Sequence, residues 1–146
     1  MTEYPIRPFA SAEAIRHIGK GLLDRSLPKP EWTHEAHLAA CTWLLVERTD
    51  MHPEIELPAI IRTYNVAAGG VNDETQGYHE TLTQLYIRGV RSFIAARLDG
   101  GLLDTVNALL GSDIGRRDWP LSMYTHARLF SLEARRKWIE PDKSAI

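Results

Sequence analysis

Residues 33–46 read THEAHLAACTWLLV and have the composition of a helix that is apolar on nearly all sides. Thr33 is a favourable N-cap, because its hydroxyl can accept a hydrogen bond from the free backbone N–H groups of the first turn. Glu35 lies in that turn, where a carboxylate suits the positive end of the helix dipole. Apolar residues follow His34 at offsets of four, seven and eleven, which is a helical spacing. The pattern predicts a central helix from about His34 to Arg48.

The rest of the chain shows the same helical periodicity, interrupted by proline and glycine. The further predicted helices cover about residues 12–24, 53–68 (with Pro53 or Pro58 in the first turn), 78–98, 102–110, 120–128 and 132–138. No stretch alternates between apolar and polar residues in the manner of a strand. Residues 1–10 are predicted to form an irregular arm, since they contain Pro5 and Pro8. The predicted fold class is all-α, a single-domain helical bundle of five or six main helices over residues 1–146.

Composition limits the class of protein. The chain has 146 residues, of which 44% are hydrophobic, and a formal charge of only −2. That charge argues against a nucleic-acid-binding face or an anionic-membrane surface. No run of about 18 apolar residues could span a membrane, and the N-terminus lacks the apolar segment of a signal peptide. The single cysteine, Cys41, excludes an intrachain disulfide. We therefore expect a soluble cytoplasmic protein without nucleic-acid or membrane partners.

Three histidines are the strongest candidates for chemistry. His34 and His37 are three positions apart on the central helix, so their imidazoles lie about 60° apart around the axis. His79 lies at the start of another predicted helix, in the segment GYHETLT of residues 77–83, and its stripe faces the core. Together they could hold a divalent metal and leave one coordination position open, as catalytic zinc sites do. Imidazole ligands favour zinc, nickel or iron. No organic cofactor is predicted.

Other polar residues complete the predicted site. Glu80 follows His79 and Glu74 lies in the preceding loop, so either could act as a general base or as a carboxylate ligand. Glu35 lies about 100° and 160° around the helix from its two neighbouring histidines, and it is predicted to point away from them. The residues predicted to orient a substrate or to support the histidines are Tyr64, Asn65, Asn72 and Thr83.

Two functions from different classes fit these residues. In the first, a bound metal activates water, Glu80 or Glu74 moves the proton, and the protein hydrolyses a small molecule. In the second, the histidines cap or bridge helix ends as neutral imidazoles. The protein is then a non-catalytic small-molecule-binding or interaction domain, with a homodimer as one form. The sequence leaves open whether the protein is an enzyme.

Several short motifs resemble those of a family of small, uncharacterised bacterial all-helical proteins. The motifs are WTHEAHL at 32–38, Tyr64-Asn65, Gly69-Gly70 with Asn72, GYHETLT at 77–83, LFS at 129–131, EAR at 133–135, and Trp138 with Pro141-Asp142. The resemblance covers nearly the whole chain and implies an all-α fold, but no reaction. A weaker architectural similarity is to DinB-like helical bundles, which hold a divalent metal with three histidines. This sequence departs from their usual ligand pattern, because its close histidine pair lies at offset three in an early helix.

Overall fold

Seven α-helices form in the part of the chain that the computed structural model describes, residues 6–97 and 100–143. They are α1 (Ala12–Asp24), α2 (His34–Glu47), α3 (Pro53–Ala67), α4 (Glu80–Ala95), α5 (Leu102–Leu110), α6 (His126–Leu129) and α7 (Leu132–Arg136). Short 3-10 turns cover Lys29–Glu31, Asp113–Gly115 and Trp119–Ser122. The described residues contain no strand, which confirms the all-α prediction.

The central helix, α2, contacts α1, α3, α4 and α5. It is buried on most sides, and Leu38, Trp43 and Leu44 belong to the main hydrophobic core. Close packing of α1 on α2 depends on Gly19, since a Cβ atom there would lie 2.2 Å from the ring of Trp43. The nearly continuous apolar surface of α2 therefore follows from its having helices on several sides at once.

The helix boundaries follow local capping chemistry. Thr33 caps α2 through its hydroxyl, as its position in the sequence predicts. α4 begins at Glu80 rather than at residue 78, because His79 is in an extended conformation and acts as the N-cap. α3 begins at Pro53, and Pro58 lies inside the helix. α4 ends at Ala95, before its predicted end at residue 98, which itself lies outside the described residues.

The N-terminal arm packs on the bundle from residue 6 onward, and residues 1–5 of the predicted arm lie outside the described residues. The side-chain amide of Asn107 bonds both the N–H and the carbonyl of Phe9, at 2.9 and 3.0 Å. The Arg7 guanidinium lies 3.3 Å from the carboxylate of Glu35, which is 2% exposed. Burial raises the pKa of Glu35, but hydrogen bonds from its own backbone N–H and from Arg7 outweigh that effect and hold the pKa below its usual range. Glu35 thus attaches the arm to α2.

The C-terminal part differs from its predicted form. Instead of one helix over residues 120–128, the chain forms a 3-10 turn and then the separate short helix α6. The buried hydroxyl of Tyr124 donates to the carbonyl of Ile139 over 2.6 Å, and the Thr125 hydroxyl donates to Asp142 over 2.7 Å. These contacts fold the segment back on itself, so that it forms a small second core with Leu85 of α4. Within the described part of the chain, no helix is long and apolar enough to cross a membrane.

Candidate functional site

A cavity of about 630 Å³ lies between α2, α3 and α4 and is partly open to solvent. The α3–α4 loop (residues 68–79) and residues of the C-terminal part complete its walls, which are mostly apolar or aromatic. The three candidate histidines, His34, His37 and His79, all line this cavity. Its volume lies within the range of about 300–1,000 Å³ that is usual for small-molecule sites.

His37 is held in one tautomer by the backbone one turn earlier. Its Nδ1–H donates to the carbonyl oxygen of Thr33 over 2.6 Å, since a carbonyl can only accept. Nε2 therefore carries a lone pair, and it has no hydrogen-bond partner among the described residues. Trp32 stacks on the imidazole, with ring centroids 3.8 Å apart. His37 is an exposed residue that also lines the cavity, and desolvation by the protein atoms packed around its ring lowers its pKa to about 4.

His34 is oriented by a distant loop. Its Nε2–H donates over 2.8 Å to the carbonyl oxygen of Gly115, which is 81 positions away in the sequence. Nδ1 is then the unprotonated nitrogen, and residues 6–97 and 100–143 supply no hydrogen-bond donor to it. The two histidines of α2 thus each contribute one free acceptor nitrogen beside the cavity.

His79 differs from them, because both of its ring nitrogens are engaged. Nδ1 accepts a hydrogen bond from the backbone N–H of Leu82 at 3.1 Å, and this bond caps α4. Nε2–H donates to the buried carbonyl of Leu129 over 2.7 Å. Burial holds the pKa of His79 below its ordinary value. The neutral ring therefore joins the start of α4 to the end of α6 through two hydrogen bonds to the backbone.

A metal site would need a different arrangement of these rings. Among the described residues, no group of three or more His, Cys, Asp or Glu side chains is placed to hold a metal ion. To bind one, His79 would have to give up its bond to Leu82 or to Leu129. The geometry fits the neutral-imidazole alternative better than the three-histidine metal site, which stays a prediction.

The two candidate carboxylates belong to other contacts. Glu80 accepts a hydrogen bond from the Tyr78 hydroxyl and another from the Gln84 amide at 3.3 Å. Glu74 is exposed and forms an ion pair with Arg136 at 3.1 Å. Neither carboxylate contributes to the cavity wall as the described residues form it.

Two of the candidate substrate-binding residues line the cavity with their hydroxyls already engaged. Tyr64 is 1% exposed and donates to the carbonyl of Leu27 over 2.8 Å. Thr83 donates to the carbonyl of His79 over 2.9 Å, one turn earlier in α4. These groups support the wall, and the bonds that they make are structural.

The other two candidates organise the α3–α4 loop. The Asn65 amide lines the cavity and donates to the side-chain oxygen of Asn72 over 2.9 Å. The same oxygen accepts from the N–H of Tyr78 at 2.9 Å, while the Asn72 amide donates to the carbonyl of Arg62 over 3.0 Å. Gly77 has a φ of +85°, and a Cβ atom there would lie 2.3 Å from a loop carbonyl oxygen. Asn72 therefore lies outside the cavity and fixes the loop that covers one side of it.

Several wall residues are absent from the sequence-based prediction of the site. Trp32 and Tyr78 lie within the two histidine motifs, WTHEAHL and GYHETLT, and this position is the signal that could have identified them. Tyr86 and Cys41 also line the cavity, and burial raises the pKa of each to about 12. All four side chains are uncharged at neutral pH, so they add to the apolar and aromatic character of the wall.

Comparisons with known proteins give no further identification. No protein-family model matches the sequence, and neither the curated proteins nor the solved structures gave a match. The resemblance to a bacterial family therefore remains a prediction from the motifs.

Proposed function

We propose that this protein binds a small, largely apolar molecule in the cavity between α2, α3 and α4. The observation that carries the proposal is a cavity of about 630 Å³ whose wall is mostly apolar and aromatic and contains a few fixed polar groups. That combination is typical of small-molecule sites, in which apolar contact supplies affinity and a few polar groups set orientation.

The contacts of the predicted catalytic groups favour binding over hydrolysis. His79 uses both ring nitrogens on the backbone, Glu80 accepts from the hydroxyl of the wall residue Tyr78, and Glu74 pairs with Arg136. A general base must come within hydrogen-bond reach of the proton that it removes. Neither carboxylate is part of the cavity wall, and this supports binding over hydrolysis.

The proposal is tested by filling the cavity. Ala68 lines it and is half-buried, whereas the adjacent Ala67 is exposed and outside its wall, so Ala68→Phe and Ala67→Phe form a matched pair. We would titrate tag-free protein with toluene, 4-methylanisole and 4-methylphenol and follow the protein by NMR. We expect saturable binding of these probes, weakened at least about tenfold by Ala68→Phe and unchanged by Ala67→Phe. If no probe binds, or if Ala68→Phe leaves binding intact, the proposal is wrong.

A further inference from the structure

Two histidine nitrogens at the cavity are free acceptors, and the wall also contains the cationic side chains of Lys29 and Arg117. His37 and His34 each donate one ring N–H to a backbone carbonyl, which leaves Nε2 of the first and Nδ1 of the second with lone pairs. Both tautomers follow from the geometry, because each ring nitrogen faces a carbonyl oxygen that cannot donate. A molecule that fills the cavity must bring its own donor to satisfy either nitrogen.

Four uncharged donor groups of the wall are already engaged by protein atoms. The hydroxyls of Tyr64 and Thr83 donate to backbone carbonyls at 2.8 and 2.9 Å, and the hydroxyl of Tyr78 donates to Glu80. The Asn65 amide donates to the side chain of Asn72. A hydroxyl donor on a ligand would thus find free lone pairs at the histidines of α2.

Aromatic surface lies directly beside one of the free acceptors. Trp32 stacks on the His37 ring at a centroid distance of 3.8 Å and meets Tyr64 edge-on at 5.4 Å. Flat rings bind well against such surfaces in stacked or edge-on arrangements. The low pKa of His37, about 4, keeps its acceptor nitrogen unprotonated at neutral pH.

We infer that the molecule bound in this cavity is a planar aromatic compound with a hydroxyl donor, the class of the phenols. Its ring lies against Trp32, and its hydroxyl donates to Nε2 of His37. This inference rests on the proposed function, since it names the class of ligand that the same cavity takes.

The test compares three probes of nearly equal size: 4-methylphenol, its methyl ether 4-methylanisole, and 4-methylbenzoate. In a cavity without a free acceptor, the ether would bind at least as tightly as the phenol because it is more apolar. With the acceptor, we expect the phenol to bind about threefold to tenfold more tightly than the ether, which is the effect of one hydrogen bond. We expect the benzoate, which has no donor for Nε2 of His37, to bind more weakly than the phenol.

Two variants separate the acceptor from the cavity. His37→Phe keeps a ring against Trp32 but removes the nitrogen, so the preference for the phenol over the ether should disappear while toluene still binds. The matched control is His52→Phe, because His52 is exposed and lies outside the cavity wall. It should leave the preference unchanged.

Each outcome discriminates between the two proposals. Equal affinity for phenol and ether in the wild-type protein, or tighter binding of the benzoate, overturns the ligand class and leaves the cavity proposal standing. Failure of every probe to bind overturns both. If His37→Phe does not fold, the phenol–ether comparison in the wild-type protein still decides the question.

Discussion

Replacement of His79 by alanine tests whether this side chain serves to hydrogen-bond the backbone or to bind a metal. The change removes the N-cap bond to the Leu82 N–H, and loss of such a cap costs about 1 kcal/mol. It also leaves the Leu129 carbonyl without its partner, and that residue is 1% exposed. An unsatisfied buried carbonyl costs about 1–3 kcal/mol. We therefore expect His79→Ala to lower the free energy of unfolding by about 2–4 kcal/mol.

A second substitution divides this effect into its two parts. Asparagine is a good N-cap but is too short to span the distance to Leu129, so His79→Asn should recover the cap, about 1 kcal/mol, and no more. His52→Ala is the matched control. It removes another N-cap histidine, one that is exposed and whose side chain makes no capping bond, so we expect a change within about 0.5 kcal/mol.

The assay is urea denaturation of tag-free protein, measured with EDTA and with added zinc. If His79 has a structural role through its hydrogen bonds, EDTA should leave the stability of the wild-type protein unchanged, and His79→Ala should be destabilised in every buffer. If His79 is a metal ligand, zinc should stabilise the wild-type protein and EDTA should remove that gain. Elemental analysis should then find about one metal per chain in the wild-type protein and none in the variant. An effect of His79→Ala no larger than that of His52→Ala would refute the reasoning.

Three further predictions test the packing, the loop and the titration of the site. Gly19→Ala should lower the free energy of unfolding by about 1–3 kcal/mol in a denaturant titration, although alanine favours helix, because its Cβ atom would lie 2.2 Å from the ring of Trp43. Asn72→Ala removes three hydrogen bonds from the α3–α4 loop, so amide exchange in that loop should speed up about tenfold or more while exchange in α2 stays unchanged. The pKa of His37 is about 4 in the folded protein against an ordinary 6.5, so the unfolded chain takes up its proton first as pH falls and stability is lost between those values. Because water reaches the ring, we expect that loss to be no more than about 1–2 kcal/mol, and the pH dependence of thermal unfolding should be shallower in His37→Phe.

The long helices could be predicted from the sequence because their signals are local. Thr33 supplies a cap, and the apolar residues that follow repeat with a helical period, so the limits of α2 follow from adjacent residues alone. In the C-terminal part Thr125 and Ser131 also act as N-caps, but the helices that they start, α6 and α7, have only four and five residues. These short elements are fixed by contacts such as that of Tyr124 with Ile139, 15 positions later, which helical periodicity does not encode.

The candidate site, too, could be predicted from the sequence only in part. Helical spacing predicts that His34 and His37 face one side of α2, and both line the cavity. The sequence contains no sign of which ring nitrogen is protonated. For His34 that depends on the carbonyl of Gly115, and for His79 on the carbonyl of Leu129, 50 positions away. Such partners are fixed only when the chain has folded.

These backbone contacts determine what each histidine can contribute. The first turn of a helix has free N–H groups, and a neutral imidazole is one of the few side chains that can accept from such a group and donate elsewhere at the same time. His79 does both, so it stabilises the wall and has no lone pair left for a ligand. His37 only donates to the backbone, so its second nitrogen remains available beside the cavity. A histidine at the start of a helix is therefore a candidate for ligand chemistry only when one of its nitrogens is left over, and of these two it is His37 that meets the condition.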